Sequence, residues 1–296
     1  MITFTAMRRS LSVKTWIIGL VVLALSGCSA VRLGYDNGPS LALWWLDGYL
    51  DLDRGQEARA KPALQDWFDW HRATQLPDYA RLLASWQARS AGSVSGDEIC
   101  AASDQVRAKL QSAVERALPA AAELLPQVNA TQWQFLEKRF AERNAELREE
   151  HAQDRPADRQ AAALDRAVDR SEQLYGRLNP AQKKLLAEGI ASAPMASEEW
   201  IAERERRQRE LLLGLRRAQQ EGDSARRLAA MRSTALAYLR PADGAYGERQ
   251  ARWQAHSCKL SAQLHNTTTP AQREHLRERL SAWQEDLQAL AAAAAP

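Results

Sequence analysis

The sequence predicts an all-α fold, a multi-helix bundle or stack of helical hairpins with roughly nine to eleven helices. Three observations carry this. Beyond Pro39 the chain is dominated by alanine, leucine, arginine, glutamate and glutamine, all good helix formers. Apolar residues recur at steps of three and four; Leu276, Leu280, Trp283, Leu287 and Leu290 make one seam along 270–290. No stretch shows the sustained alternation and β-branched enrichment of a strand.

The first element is a leader. Arg8, Arg9 and Lys14 precede an apolar run from Trp16 to Leu25, and Leu25-Ser26-Gly27-Cys28 closes it. About ten helical residues rise only about 15 Å, half a bilayer, so the run reads as a signal core and not a span. Small residues before the cysteine suit a peptidase that needs uncrowded, extended backbone. Residues 1–27 are therefore expected to be a lipoprotein signal peptide, with Cys28 as the lipidated new N-terminus. Ser29 resembles the outer-membrane default of Gram-negative bacteria, which points to the periplasmic face of that membrane.

Removing the leader changes the charge. The chain has 40 Lys and Arg against 37 Asp and Glu. Arg8, Arg9 and Lys14 lie in the leader, which has no acid, so 40 less 3 leaves 37 of each sign. A neutral body lacks the net basic surface that nucleic-acid binding rests on.

Residues 28–38 are expected to be a lipidated tether reaching at most about 40 Å. An all-α periplasmic domain follows over 39–291, with a possible sub-boundary near 153–157 and a frayed tail at 292–296. Its first helix, Ser40 to Leu50, is apolar nearly all round and carries only Asp47. Burial in the bundle is expected, with the lipid surface as the alternative. Aromatics crowd this part of the chain. Trp44, Trp45, Trp67 and Trp70 are the candidate binding aromatics, set against the ordinary role of such residues in core packing.

Later helices repeat the seam: Trp133, Leu136, Phe140 and Leu147, then Leu164, Val168, Ser171, Tyr175 and Leu178, then Leu228, Met231, Ala235 and Leu239. Their starts share one logic. Asn129 with Gln132, Asn179 with Gln182, and Thr269 with Gln272 place a capping oxygen ahead of a Gln that reaches back. Proline follows the cap in the last two, where its missing N–H costs nothing. Asp53 with Gln56 and Ser95 with Glu98 are weaker versions. Breaks are expected at Pro77, Ser90–Gly96, Pro126, Arg155–Pro156, Pro194, Glu221–Asp223 and Pro241–Gly244. The start signals fall at uneven intervals, which argues against a solenoid.

Cys100 and Cys258 are the remaining cysteines. In an exported chain they are candidates for one disulfide, with two separate buried thiols as the alternative. Five histidines (His71, His151, His256, His265 and His275) include no pair four apart on one helical face, so no metal site and no cofactor is expected. There is no glycine-rich phosphate loop, no Gly-x-Ser-x-Gly elbow and no paired ligand motif. The run Glu203 to Arg209 reads as a solvated helix laced by opposite charges. The expected role is non-catalytic binding of an envelope protein or unfolded peptide, as a chaperone, adaptor or assembly factor. The alternatives are an enzyme acting on cell-wall or lipid material, and a metal-responsive envelope protein.

Four groups of segments resemble a family of uncharacterised proteobacterial outer-membrane lipoproteins. They are Val31 to Tyr35, Trp44 to Leu52, Trp70-His71-Arg72 with Leu76 to Ala80, and Leu264-His265-Asn266 through Gln272-Arg273 with Trp283. The resemblance implies a lipid-anchored, periplasm-facing protein and brings no activity. The three helix starts also resemble, more weakly, the Leu-Thr-x-x-Gln hallmark of Spy/CpxP-type periplasmic chaperones. Two have Asn for Thr and the third lacks the Leu, and a capping box explains all three without descent.

Overall fold

Helices make up 86% of the structure and no strand occurs among the described residues, so the all-α expectation holds. The structure is a computed structural model that describes residues 28–293. The leader 1–27, residues 294–296 and the side chains of 28–30 lie outside the described residues; the lipidation expected at Cys28 falls there too.

In chain order the helices are α1 (Cys28–Asp36), α2 (Gly38–Leu50), α3 (Arg54–Trp70), α4 (Leu76–Arg89), α5 (Gly96–Leu124) and α6 (Ala130–His151). Then come α7 (Pro156–Tyr175), α8 (Pro180–Ala191), α9 (Ser197–Gln219), α10 (Ser224–Leu239), α11 (Gly244–Asn266) and α12 (Pro270–Ala292). A π turn (His71–Gln75) joins α3 to α4, so these two form one rod. Counted that way the described residues hold eleven helical rods, the top of the expected range.

Three expectations are corrected. Pro77 does not break the chain. The π turn ahead of it shifts the backbone bonding by one residue, so that Leu76 N–H bonds His71 O, and the proline enters a new helical start where its missing N–H is tolerated. The segment 28–38 is not an extended tether. Helix α1 occupies it, rising about 13 Å rather than 40 Å, and it is tied to α12 by Arg32 Nε donating to Asp286 Oδ1 at 2.8 Å. Asp286 is only 1% exposed, so this is a buried carboxylate with its counter-charge. The last helix runs to Ala292 rather than ending before it.

Packing crosses the 153–157 position repeatedly. Helix α12 lies along α4 and touches α1 and α7, α11 lies along α5, and α10 packs on both α9 and α5. One core joins Leu118, Ala122, Leu125, Trp133 and Leu136 to Leu212, Ala218 and Met231. A second gathers Leu178, Leu186 and Leu264. Each such leucine contributes about 1.5–3 kcal/mol by leaving water. The cysteines Cys100 and Cys258 are bonded to each other, with Cα atoms 5.5 Å apart. Gly96 permits that approach, since a Cβ there would meet Lys259 Cα at 3.2 Å. Both cores and the disulfide are built from described residues alone.

The helix starts assemble into something the sequence did not disclose. The five starts that pair a cap with Gln or Glu all form capping boxes, Asp53 with Gln56 and Ser95 with Glu98 among them. The four Gln boxes then pair across the bundle. Gln56 Nε2 donates to Gln132 Oε1 at 3.0 Å and Gln132 Nε2 to Gln56 Oε1 at 2.6 Å. The spare protons reach Gln127 O and Asp51 O, and each Oε1 also accepts its own N-cap N–H. Gln182 and Gln272 repeat the arrangement, with Thr267 O and Arg177 O as outer acceptors. Every donor and acceptor of these four buried amides is used. The first pair clamps the α2–α3 turn to the α5–α6 turn, which sets the spacing of the cleft described next.

Candidate binding cleft

Five of the helices that meet at the first core leave an apolar cleft of about 420 Å³ between them. That lies within the range of about 300–1,000 Å³ common to ligand sites. Helix α2 supplies Trp45, Leu46 and Tyr49, α6 supplies Trp133, Leu136 and Phe140, and Ala121, Leu215 and Met231 close it from α5, α9 and α10.

Local sequence explains the wall. On α2, Trp45 and Tyr49 stand four apart and pack with tilted rings, centroids 4.7 Å apart; Phe140 meets Tyr49 edge-on at 6.2 Å. Arg139 lies over the Tyr49 ring at 5.9 Å and donates from Nε to Gly48 O at 2.9 Å, which fixes α2 against α6. Trp133 is buried and donates from Nε1 to Gln219 Oε1 at 2.9 Å. Gln219 in turn donates to the carbonyls of Leu125 and Val128, so the floor is held without an unsatisfied indole.

At one place the lining is polar. Arg204 and Gln208 of α9 face the cleft, and among the described residues Arg204 is the single charged one lining it. Arg204 Nε donates to Asn144 Oδ1 at 3.1 Å, and Asn144 Nδ2 donates to Gln208 Oε1 at 2.6 Å. Asn144 and Gln208 are each only 4% exposed.

The candidate aromatics separate into two groups. Trp44 is 74% exposed and Trp45 58%, and Leu41 is exposed beside them, three and four residues away on the same face of α2. The expected burial of this helix is therefore corrected. Its other side packs on α3 and α6, and thirteen residues with seven large apolar side chains exceed what one packed stripe can cover. Trp67 and Trp70 serve packing instead. Trp67 donates to Ala113 O at 2.9 Å and stacks on His71 at 4.8 Å, while Arg116 covers Trp70.

Other concave regions offer different chemistry. A cavity of about 560 Å³ is lined by Glu203, Glu210 and Asp243 with Arg206, Arg207 and Arg240. Hydrogen bonds from Arg206, then Arg207, hold the Glu203 carboxyl down at about 2, so it carries no proton to donate near neutral pH. A third cavity of about 630 Å³ lies among α7, α8 and α11 and is lined by Tyr175, His256 and Trp253. His256 Nε2 there lies 2.7 Å from Gly189 O.

Two Tyr–His pairs lie in the packing. Tyr35 Oη is 2.8 Å from His71 Nδ1, and Tyr175 Oη is 3.2 Å from His265 Nδ1. Since His265 Nε2 faces Gly92 O at 3.0 Å it donates there, and Nδ1 accepts from the tyrosine. Burial pushes both imidazoles down and both phenols up, each phenol to about 12. Among the described residues no group of three His, Cys, Asp or Glu is arranged to hold a metal ion.

Fold and site together define an all-α protein with an apolar, aromatic-walled cleft and one cationic corner. The chain belongs to the family of unknown function DUF6279, whose profile matches residues 48–236, more than half of the sequence. The cleft-lining residues from Tyr49 to Met231 lie within the match. Comparison with curated proteins and with solved structures gives no match.

Proposed function

We propose that this chain is a lipid-anchored helical protein of the bacterial outer membrane, facing the periplasm, whose role is non-catalytic binding, as a chaperone, adaptor or assembly factor. The observation that carries the reading is the apolar cleft together with the exposed Leu41, Trp44 and Trp45 beside it. Monomeric proteins seldom display such faces without a partner. The leader pattern ending at Cys28 supports the anchor and the compartment. No described helix is long and apolar enough to cross a membrane, which is compatible with anchoring by lipid.

Two measurements in cells test this. The wild-type chain should incorporate labelled palmitate and sediment with membranes, and Cys28→Ser should lose the label. A photocrosslinking residue at Trp44 should capture an envelope component that the same residue at exposed Val106 does not. Label retained in Cys28→Ser contradicts the anchor; equal capture at both positions contradicts the binding role.

A further inference from the structure

The polar corner of the cleft has a direction. A guanidinium has donors and no acceptor, so Arg204 Nε can only give a proton to Asn144, whose Oδ1 must be the recipient. That orients the Asn144 amide, and its Nδ2 must then give a proton to Gln208 Oε1. Gln208 is left presenting Nε2, a pure donor. Neither this nitrogen nor Arg204 Nη1 and Nη2 makes a hydrogen bond among the described residues, and none is sealed away from solvent. No carboxylate lies within salt-bridge distance of Arg204 among the described residues. The cleft is thus lined by free donors of Arg204 and Gln208, with one positive charge and no carboxylate among the described residues. Its remaining walls are aromatic and aliphatic.

We propose that the cleft binds a single-chain anionic amphiphile, a long-chain carboxylate, with its tail along Trp45, Leu136 and Met231. The head accepts from Gln208 Nε2 and the Arg204 Nη groups. A cationic head would be repelled, a neutral head would forgo the charge-assisted bonds, and a wholly apolar occupant would bury the donors unpaired. Asn144 holds the donors in place before the ligand arrives, so little ordering is lost on binding. The inference rests on the reading of the cleft as a binding surface and names its ligand.

The test uses residues 28–296 with Ser at position 28, since both cores and the disulfide lie within the described residues. Dibrominated palmitate should quench tryptophan fluorescence saturably at one site per chain, through Trp45 and Trp133. Saturated carboxylates should gain about fourfold in affinity per methylene until the tail fills the cleft. Hexadecanol and hexadecyltrimethylammonium should bind at least about tenfold more weakly than palmitate. Arg204→Gln should lower palmitate affinity about tenfold and leave hexadecanol unchanged, with the urea midpoint checking that the variant is folded. Ala121→Phe, which fills a partly buried wall position, should abolish both. Equal binding of palmitate and hexadecanol, or no effect of Arg204→Gln on palmitate, overturns the assignment of the head. An apolar peptide that binds while palmitate does not overturns this inference and leaves the binding role standing. If neither binds, both fall.

Discussion

Replacing Gln272 by alanine should destabilise the protein by about 3 kcal/mol. The side chain accepts from Thr269 N–H at 3.0 Å, donates to Arg177 O at 2.9 Å, and exchanges two bonds with Gln182. Truncation leaves the Thr269 N–H and the Arg177 carbonyl without these partners, at about 1–3 kcal/mol for each buried group. The site is 8% exposed, so water relieves part of this and the lower end applies twice. The lost amide–amide bonds add about 1 kcal/mol. Gln182→Ala should cost a similar amount, and the double variant should fall short of additivity by about 1–2 kcal/mol, the energy of the shared bonds. Exposed Gln65→Ala should stay within about 0.5 kcal/mol. Urea unfolding followed by circular dichroism measures all four. The sharpest arm is Gln272→Glu. A capping box alone tolerates Glu, as Ser95 with Glu98 does. The reciprocal pair does not, because a carboxylate would face Arg177 O and Gln182 Oε1 with no proton to give. Glu as stable as Gln, or additivity in the double variant, would refute the pairing.

Serine at Cys100 and Cys258 should lower stability by up to about 5 kcal/mol, since the bridge closes a separation of 158 residues; the oxidised and reduced proteins compared in urea give the value. Stability should fall on acidification from about pH 6.5. His265 is pushed below its ordinary value of 6.5 in the folded state, so the unfolded chain binds more protons through that window; a His265→Gln variant should show a flatter pH profile of unfolding free energy. Further loss should appear as pH falls from 4.5 toward 2, where Glu203 leaves its arginines, and Glu203→Gln should remove that portion. Gly38→Ala should cost about 1–3 kcal/mol, since its Cβ would clash with the Phe68 ring, and thermal unfolding would read the shift.

Much of the fold was legible. Seams such as Leu276 to Leu290 and the cap–Gln starts mark where helices begin and which face they bury, because helix geometry ties both to short-range spacing. Partners were not legible. Gln56 meets Gln132 and Gln182 meets Gln272 across separations of 76 and 90 residues, distances over which no local pattern operates. One signal was present: these boxes carry Gln at the third position where Ser95's carries Glu, and only an amide can both accept from its own cap and donate across. In the cleft, Trp45 was singled out but Gln208 and Asn144 were not. Each reads as an ordinary polar residue within a charged helix until the fold buries the two together. The exposure of Trp44 was missed because an all-round apolar helix is compatible with burial on every side until neighbours are known.

The claim that the cleft takes an amphiphile is tested most directly by methyl-labelled methionine. Residues 28–296 contain Met195 and Met231 alone. Met231 lines the cleft, and Met195 lines the separate cavity among α7, α8 and α11. On titration with palmitate the Met231 methyl resonance should shift saturably at one equivalent while Met195 stays put. A silent Met231, or two methyls that move together, would contradict the account.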